Sequence, residues 1–213
     1  MFPDFKELLS EFNARQVKYL VVGGYAMAFH GRPRATKDLD IVISADAENG
    51  RALYAALAKF GAPLAGLKPQ DLIEPGHFFR MGTPPVMVDI LPSIAGVDFQ
   101  EAWKRHIDVP IDDTLTVPVI SRPDLLTAKI AAGRPQDLAD AVALAEIQKQ
   151  YDQAEKLSSA SRAKALESID EMQRKARERW LKRQAGHSAA SAAGKAKQKS
   201  RRMEHDLDDD EGS

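Results

Sequence analysis

Residues 19–43 read YLVVGGYAMAFHGRPRATKDLDIVI, and this stretch decides the fold. The apolar run at its start predicts a strand over Lys18–Val22, which ends at the glycine pair Gly23-Gly24. A helix can begin directly after the pair, over Tyr25–His30, and a second apolar run predicts a strand over Asp38–Ile43. Two strands joined through a glycine turn and a helix indicate a mixed α/β unit.

The segments around this stretch continue the same alternation of short apolar runs and amphipathic helices. The pattern favours an α/β fold of the α+β kind, with a small mixed sheet flanked by helices, over a helical bundle or a β-sandwich. Helices are predicted over Phe5–Gln16, Ala47–Phe60 and Pro135–Gln148 and from Ser121 onward, a hairpin over His77–Met81 and Val86–Leu91, and a strand around Leu115–Ile120.

The composition of the chain changes near residue 150. All 12 prolines lie before Gln136, and the later chain is rich in Ala, Lys, Arg, Glu and Ser. We therefore expect a globular domain over 1–150, a helical extension over 151–186 and a disordered, charged tail over 187–213. The extension carries apolar side chains at helical spacing, at Leu166, Ile169, Met172, Ala176 and Trp180.

The overall composition excludes several kinds of site. The 30 Lys and Arg residues nearly balance 31 Asp and Glu residues, so the formal charge of −1 leaves no basic excess for nucleic acid or an anionic membrane. Without cysteine, the chain forms no disulfide, zinc–cysteine site, iron–sulfur cluster or thiol nucleophile. It has no apolar run of membrane-spanning length and no signal-peptide pattern over Met1–Glu11, so we expect a cytoplasmic protein without membrane attachment.

Asp38 and Asp40 lie at the head of the second predicted strand. The two-residue repeat of a strand sends both carboxylates to one face, with Cα atoms roughly 6.5–7 Å apart. Two carboxylates at this separation can bridge divalent cations, and without a cation they repel each other. The alternative is a solvated strand end, because an isolated Asp-x-Asp often occurs by chance.

The pair Gly23-Gly24 follows the first predicted strand and precedes a helix. Without side chains, its backbone N–H groups can approach a phosphate at the positive N-terminus of that helix. The alternative is a tight strand-to-helix turn without a ligand. The basic loop between the pair and Asp38, with Arg32, Arg34 and Lys37, favours the phosphate-binding interpretation.

Asp89 interrupts the apolar run Val86–Leu91. An unpaired carboxylate buried in such a strand is costly, so this side chain must be paired, protonated or bound to a metal. Metal binding agrees best with the presence of Asp38 and Asp40. A Lys, Arg or backbone N–H partner would instead make Asp89 a structural residue.

Taken in order, these motifs resemble the signature of the polymerase-beta-type nucleotidyltransferase superfamily: a glycine pair, a short interval, Asp-x-Asp, and a third acidic residue on a later strand. The resemblance spans Phe5–Gln148. The sequence of residues 23–31, GGYAMAFHG, is further similar to small bacterial members that include abortive-infection toxins and antibiotic adenylyltransferases. The matching segments are Val21–Gly24, Thr36–Ile41 and Val88–Ile90.

The resemblance implies a nucleotidyltransferase-like fold and the transfer of a nucleoside monophosphate from a nucleoside triphosphate such as ATP to an acceptor hydroxyl, with release of pyrophosphate. It implies that Asp38, Asp40 and Asp89 are the catalytic residues and hold two Mg²⁺ ions, which Mn²⁺ can replace. The acceptor stays open among an RNA end, a protein hydroxyl and a small molecule, and the implied protein partner is a cognate antitoxin or toxin. The residues implied to bind the triphosphate are Gly23, Gly24, Lys37 and Lys129.

The segment Lys129–Asp140 resembles a helical element of the same branch. There Lys129 would reach a phosphate, whereas Arg134 and Asp137 are interpreted as an ion pair at a helix junction, with Asp140 beside them. His30 has no partner at zinc-ligand spacing and is interpreted as a packing or surface residue.

Two other functional classes stay open. The first is a non-catalytic module of a toxin–antitoxin pair that keeps the fold and senses a nucleotide or binds a partner protein. The second is nucleic-acid binding through the basic cluster around Trp180, with the indole as a stacking platform. The alternative for that cluster is a solvated helix face.

Overall fold

The computed structural model describes the backbone of residues 1–84 and 86–208, and the side chains of these residues except 160 and 185–208. The described residues form six strands and seven α-helices. The strands are β1 (Tyr19–Val21), β2 (Asp38–Ile43), β3 (Phe79–Thr83), β4 (Val86–Leu91), β5 (Ile107–Pro110) and β6 (Thr116–Val119). The helices are α1 (Pro3–Ala14), α2 (Gly23–Phe29), α3 (Ala47–Phe60), α4 (Phe99–Lys104), α5 (Arg122–Ala132), α6 (Pro135–Glu155) and α7 (Ser159–Asp208).

The strands form one open sheet in the order β3-β4-β2-β1-β6-β5. Strand β2 pairs in parallel with β4, and β1 pairs in parallel with β6. The remaining neighbours are antiparallel. This mixed sheet with helices around it confirms the predicted α/β fold. Strand β2, which carries Asp38 and Asp40, lies inside the sheet and is paired on both edges.

The predicted bounds of β2 and α3 agree with the structure, because distinct local signals mark the ends of α3. The carboxylate of Asp46 accepts a hydrogen bond from the backbone N–H of Asn49 and caps the first turn of the helix. At the other end, Gly61 has φ of 86°, a left-handed conformation that glycine adopts without strain. These capping residues can be recognised in the sequence, so the bounds of this helix are predictable from it.

Other parts of the chain differ from the sequence-based expectation. The short elements α4 and β5 were not predicted, since six and four residues give too little periodicity to detect. Helix α6 continues past Gln148 to Glu155, so residue 150, the expected domain boundary, lies inside it. The division into domain, extension and tail stays a prediction, because the side chains of 185–208 and all of 209–213 lie outside the described residues.

Helices cover both the edges and the faces of the sheet. Helix α1 packs against α3, and α2 packs against β2. The aromatic ring of Phe12 in α1 meets Tyr19 of β1 edge-on, with ring centroids 5.3 Å apart. His30, which follows α2, is buried with Nε2 2.8 Å from the carbonyl oxygen of Ile120, which confirms its interpretation as a packing residue.

Helix α7 is attached to the domain through Trp180. The indole is only 4% exposed and packs edge-on against Tyr25 of α2, with ring centroids 4.9 Å apart. Its N–H donates a hydrogen bond to the backbone carbonyl of Arg34 at 3.2 Å. The expectation that Trp180 offers a stacking platform to nucleic acid is therefore wrong, because the ring is already buried. In the described part of the chain, no helix is both long enough and apolar enough to cross a membrane.

The burial of Trp180 predicts a large effect of its removal. We expect Trp180→Ala to lower the free energy of unfolding by about 3–5 kcal/mol, because it leaves a cavity against α2. The matched control is Met172→Ala on the same helix, since Met172 is 53% exposed and its loss should change stability by less than about 0.5 kcal/mol. Chemical denaturation of the three proteins measures both values, and equal stability of the two variants would show that α7 does not pack on the domain.

Candidate active site

The parallel pairing of β2 and β4 brings three carboxylates together on one face of the sheet. This group of Asp38, Asp40 and Asp89 forms the acidic edge of the site. Asp40 lies directly opposite Asp89 in the register, and Asp38 lies opposite Met87. Because side chains alternate along a strand, Asp38 and Asp40 share a face with Asp89. Asp38 and Asp40 are partly buried, and Asp89 is 9% exposed. The predicted convergence of these three residues therefore occurs in the structure.

The glycine pair makes room for this acidic edge. Gly23 has φ of +59°, and a Cβ added there would lie 1.9 Å from Oδ2 of Asp40. A Cβ on Gly24 would lie 2.7 Å from Oγ1 of Thr36, and the nearby Gly24 backbone N–H acts to lower the pKa of Asp40, against the larger effects that raise it. The pair is therefore required to seat Asp40 against the start of α2, whether or not a phosphate also binds there.

The three carboxylates open into one cleft of about 620 Å³. Of the predicted site residues, Gly23, Asp38, Asp40, Asp89 and Lys129 line this cleft. Gly24 and Lys37 do not line it, and Lys37 is exposed. Other polar residues in the wall are Arg34, Arg80, Arg134, Gln136 and Asp137. The cleft thus combines an acidic floor with a mainly basic wall.

The crowding of carboxylates at the acidic edge changes the pKa of Asp40. Its pKa is raised from the usual 3.8 to about 6, first because burial disfavours the charged form and then because Asp89 and Asp38 repel it. Among the described residues, Asp38 and Asp40 form no ion pair, while Asp89 forms one with Arg80. The charge of Asp40 is therefore not compensated by a direct ion pair, although it is the carboxylate that both neighbours repel.

Asp89 has a partner that the sequence did not identify. Arg80 of β3 lies opposite Asp89 in the antiparallel register and binds both carboxylate oxygens, with Nε–Oδ1 and Nη2–Oδ2 distances of 2.6 Å. This is the arginine pairing that the sequence left open as the structural alternative for Asp89. The Arg80 side chain is 52% exposed, so the guanidinium lies at the mouth of the cleft rather than in the core.

Lys129 belongs to a buried ion network that joins α5 to α6. Its Nζ lies 2.7 Å from Oδ1 of Asp137 and 3.1 Å from Oδ2 of Asp140, and all three side chains are at most 8% exposed. Arg134 also binds Asp137, which confirms the predicted ion pair at the helix junction, and Arg34 binds Asp140 at 3.2 Å. Removing one partner of such a network typically costs about 3–5 kcal/mol, so Lys129 has a structural role in addition to its place in the cleft wall.

The donor set of the cleft suits a hard divalent cation. Asp38, Asp40 and Asp89 offer carboxylate oxygens alone, the ligands that Mg²⁺ and Mn²⁺ prefer. As the side chains stand, no group of three or more acidic or histidine residues in the described part of the chain is close enough to hold a metal ion. The described side chains therefore supply the ligand chemistry of a divalent cation without a preformed site for one.

A family model and several solved structures match the chain. The family model of the nucleotidyl transferase AbiEii toxin, type IV toxin–antitoxin system, matches residues 8–210. The chain is also similar to the solved structure of the lincosamide antibiotic adenylyltransferase LnuA with lincomycin bound, at 16% identity and a TM-score of 0.40, over 66% of this chain and 94% of that one. A second similar structure is the antibiotic-resistance factor ANT(2'')-Ia, at 15% identity and a TM-score of 0.38, over 89% of this chain and 96% of that one. No curated protein matches the chain.

The raised pKa of Asp40 predicts a pH-dependent stability difference. Because the folded state binds the Asp40 proton more tightly than the unfolded state does, the fold loses stability as the pH rises from about 4 to about 6, and the loss is complete above that range. In metal-free buffer, we expect Asp40→Asn to be more stable than the wild type by up to about 2 kcal/mol at pH 8, and the difference to vanish near pH 4.

Thermal melts across this pH range measure the difference. Asp113→Asn is the matched control, since Asp113 is exposed and does not line the cleft. A stability gain of Asp40→Asn that is the same at all pH values, or that also appears in Asp113→Asn, would contradict the electrostatic account.

Proposed function

Because the chain belongs to the family of AbiEii nucleotidyl transferase toxins of type IV toxin–antitoxin systems, we propose that it transfers a nucleoside monophosphate from a nucleoside triphosphate to an acceptor hydroxyl in a metal-dependent reaction that releases pyrophosphate. The observation that carries this proposal is the convergence of Asp38, Asp40 and Asp89 on one cleft with Lys129 in its wall. An acidic floor facing a basic wall suits a triphosphate that binds together with a divalent cation.

In this proposal, Asp38, Asp40 and Asp89 hold Mg²⁺, or Mn²⁺ in its place. When bound, the metal lowers the pKa of the acceptor hydroxyl and neutralises charge on the leaving pyrophosphate. Asp40 has a central position among the ligands because it lies opposite Asp89 and on the same face as Asp38. The backbone of Gly23 contacts the Asp40 carboxylate so closely that no Cβ fits between them, which limits where that carboxylate can lie.

The cationic wall orients the triphosphate. Lys129 has three N–H donors, of which Asp137 and Asp140 engage two, so one donor is left for a phosphate oxygen. We propose that Lys129 acts there as a positioned charge that its carboxylate partners hold in place. Gly23 lines the cleft and lets a phosphate approach the backbone closely, and its neighbour Gly24 keeps this turn free of a side chain. Lys37 is exposed outside the cleft lining and would contact the outer phosphates.

We propose that the acceptor is a hydroxyl on an RNA end, a protein or a small molecule. We also propose that the protein partner is a cognate antitoxin. Incubation with each labelled nucleoside triphosphate, Mg²⁺ and host lysate fractionated into RNA, protein and small molecules identifies both the acceptor and the base. We expect one fraction to take up label and pyrophosphate to be released in proportion.

Asp40→Asn tests the role of the acidic floor in that assay. It keeps the size of the side chain but removes a charge from the metal ligands, so we expect label transfer to fall by orders of magnitude, while Asp113→Asn retains wild-type transfer. Circular dichroism and thermal melts verify that both variants are folded. Transfer by Asp40→Asn at the wild-type rate would reject the proposed site, and a wild-type protein that binds nucleotide but releases no pyrophosphate with any fraction would support the non-catalytic module instead.

A further inference from the structure

A second group of cationic side chains lies outside the candidate cleft, where the end of α2 meets the start of α5 and the middle of α7. Its members are Arg32, Arg122 and Arg177, together with the amide of Gln173. Helix α7 packs closely against Gly31, which lies just after α2. A Cβ on Gly31 would lie 2.7 Å from Cγ of Gln173. None of these residues lines the cleft that holds the three aspartates.

The contacts of Gln173 and His30 place Arg122 and Arg177 in one cluster, and Arg32 directly follows Gly31, which packs against Gln173. Arg122 at the start of α5 donates from Nη2 to Oε1 of Gln173 at 3.4 Å. Arg177 follows Gln173 by one helical turn and lies on the same face of α7. The pKa of His30 is lowered to about 4, mainly by burial and in smaller part by the nearby charges of Arg122 and Arg177.

The polar atoms of this cluster are left unsatisfied. The Nε atoms of Arg32, Arg122 and Arg177 and the Nε2 atom of Gln173 are buried and have no hydrogen-bond partner among the described residues. Gln173 as a whole is only 8% exposed. Buried N–H groups are nearly always paired in proteins, so four unpaired donors in one place indicate a missing acceptor.

The charges of the cluster are also poorly compensated. Arg32 is paired with Glu146 at 2.9 Å, whereas Arg122 and Arg177 have no carboxylate within ion-pair distance in the described part of the chain. The Arg122 guanidinium lies over the ring of Tyr151, 4.3 Å from its centroid, and makes long contacts to two glutamine side chains. Asp170 and Glu178 act on Arg177 only from beyond ion-pair distance. Partial burial of two guanidinium groups without a direct ion pair is costly, and a bound anion would offset the cost.

We propose that this cluster is a binding site for a phosphate group. All of the unpaired atoms are N–H donors, which excludes a metal ion as the ligand. Guanidinium groups match the oxygens of phosphate in pairs, and a phosphate offers enough acceptors for donors that approach from three helices. The phosphate is either a free ion or part of the backbone of a nucleic acid, and both present the same oxygen atoms to the cluster.

The test compares the full-length protein with two single variants, Arg122→Gln and Arg177→Gln. Titration calorimetry measures binding of inorganic phosphate against chloride at equal ionic strength, and fluorescence anisotropy measures binding of a short single-stranded RNA. We expect each variant to bind the phosphate source about tenfold more weakly or worse, as expected for the loss of a charge-assisted hydrogen bond. Without ligand, each variant should melt at the wild-type temperature or above it, because a poorly compensated charge has been removed.

Arg179→Gln is the matched control, since Arg179 is an exposed residue of the same helix and its replacement changes the net charge equally. It should retain wild-type affinity for both ligands. Phosphate that binds in the cleft is unaffected by these substitutions, so the comparison isolates the cluster. Loss of phosphate binding alone identifies a free ion as the ligand, and loss of RNA binding alone identifies a nucleic-acid backbone. Unchanged affinity of both variants for both ligands, or a wild type that binds neither, would overturn the proposal and leave the cluster as a hydrated helix junction.

Discussion

Repulsion among carboxylates on two adjacent parallel strands is the constraint on which the rest of this site depends. The β2–β4 register sets Asp40 beside Asp89, and the strand repeat adds Asp38 on the same face. Neighbouring residues accommodate this concentration of negative charge and partly offset it. Gly23 leaves space for the Asp40 carboxylate, and Arg80 neutralises Asp89.

The opposite wall of the cleft is organised by a second set of charges. Lys129 is held between Asp137 and Asp140, so that α5 and α6 keep a fixed relation and a cation faces the acidic floor. Helix α7 supports the same wall. The Trp180 indole donates a hydrogen bond to the backbone carbonyl of Arg34, and the Arg34 side chain binds Asp140. The proposed phosphate contact and the stability of the fold therefore depend on the same residues of this wall, and we expect a substitution there to change both.

The sequence predicted the parts of the site that local patterns encode. The Asp-x-Asp spacing and the glycine pair follow from strand alternation and turn geometry, so the acidic edge was predictable from these residues. Arg80 was not, because a hairpin loop over residues 82–85 would pair Met81 with Val86, whereas β3 in fact includes Gly82 and Thr83 and the register moves Arg80 opposite Asp89. The sequence also did not predict what buries Trp180, because the periodicity of a helix does not show which distant element contacts each of its residues.

The most direct test of the central claim is a calorimetric titration of Mn²⁺ into the protein in the presence of a non-hydrolysable nucleoside triphosphate analogue. If Asp38, Asp40 and Asp89 form one cation site, the wild type binds the ion, and Asp40→Asn binds it at least about tenfold more weakly, a loss of ~1.4 kcal/mol. Asp113→Asn should bind as the wild type does. Equal Mn²⁺ affinity in the wild type and Asp40→Asn would contradict the account and make the three aspartates structural residues.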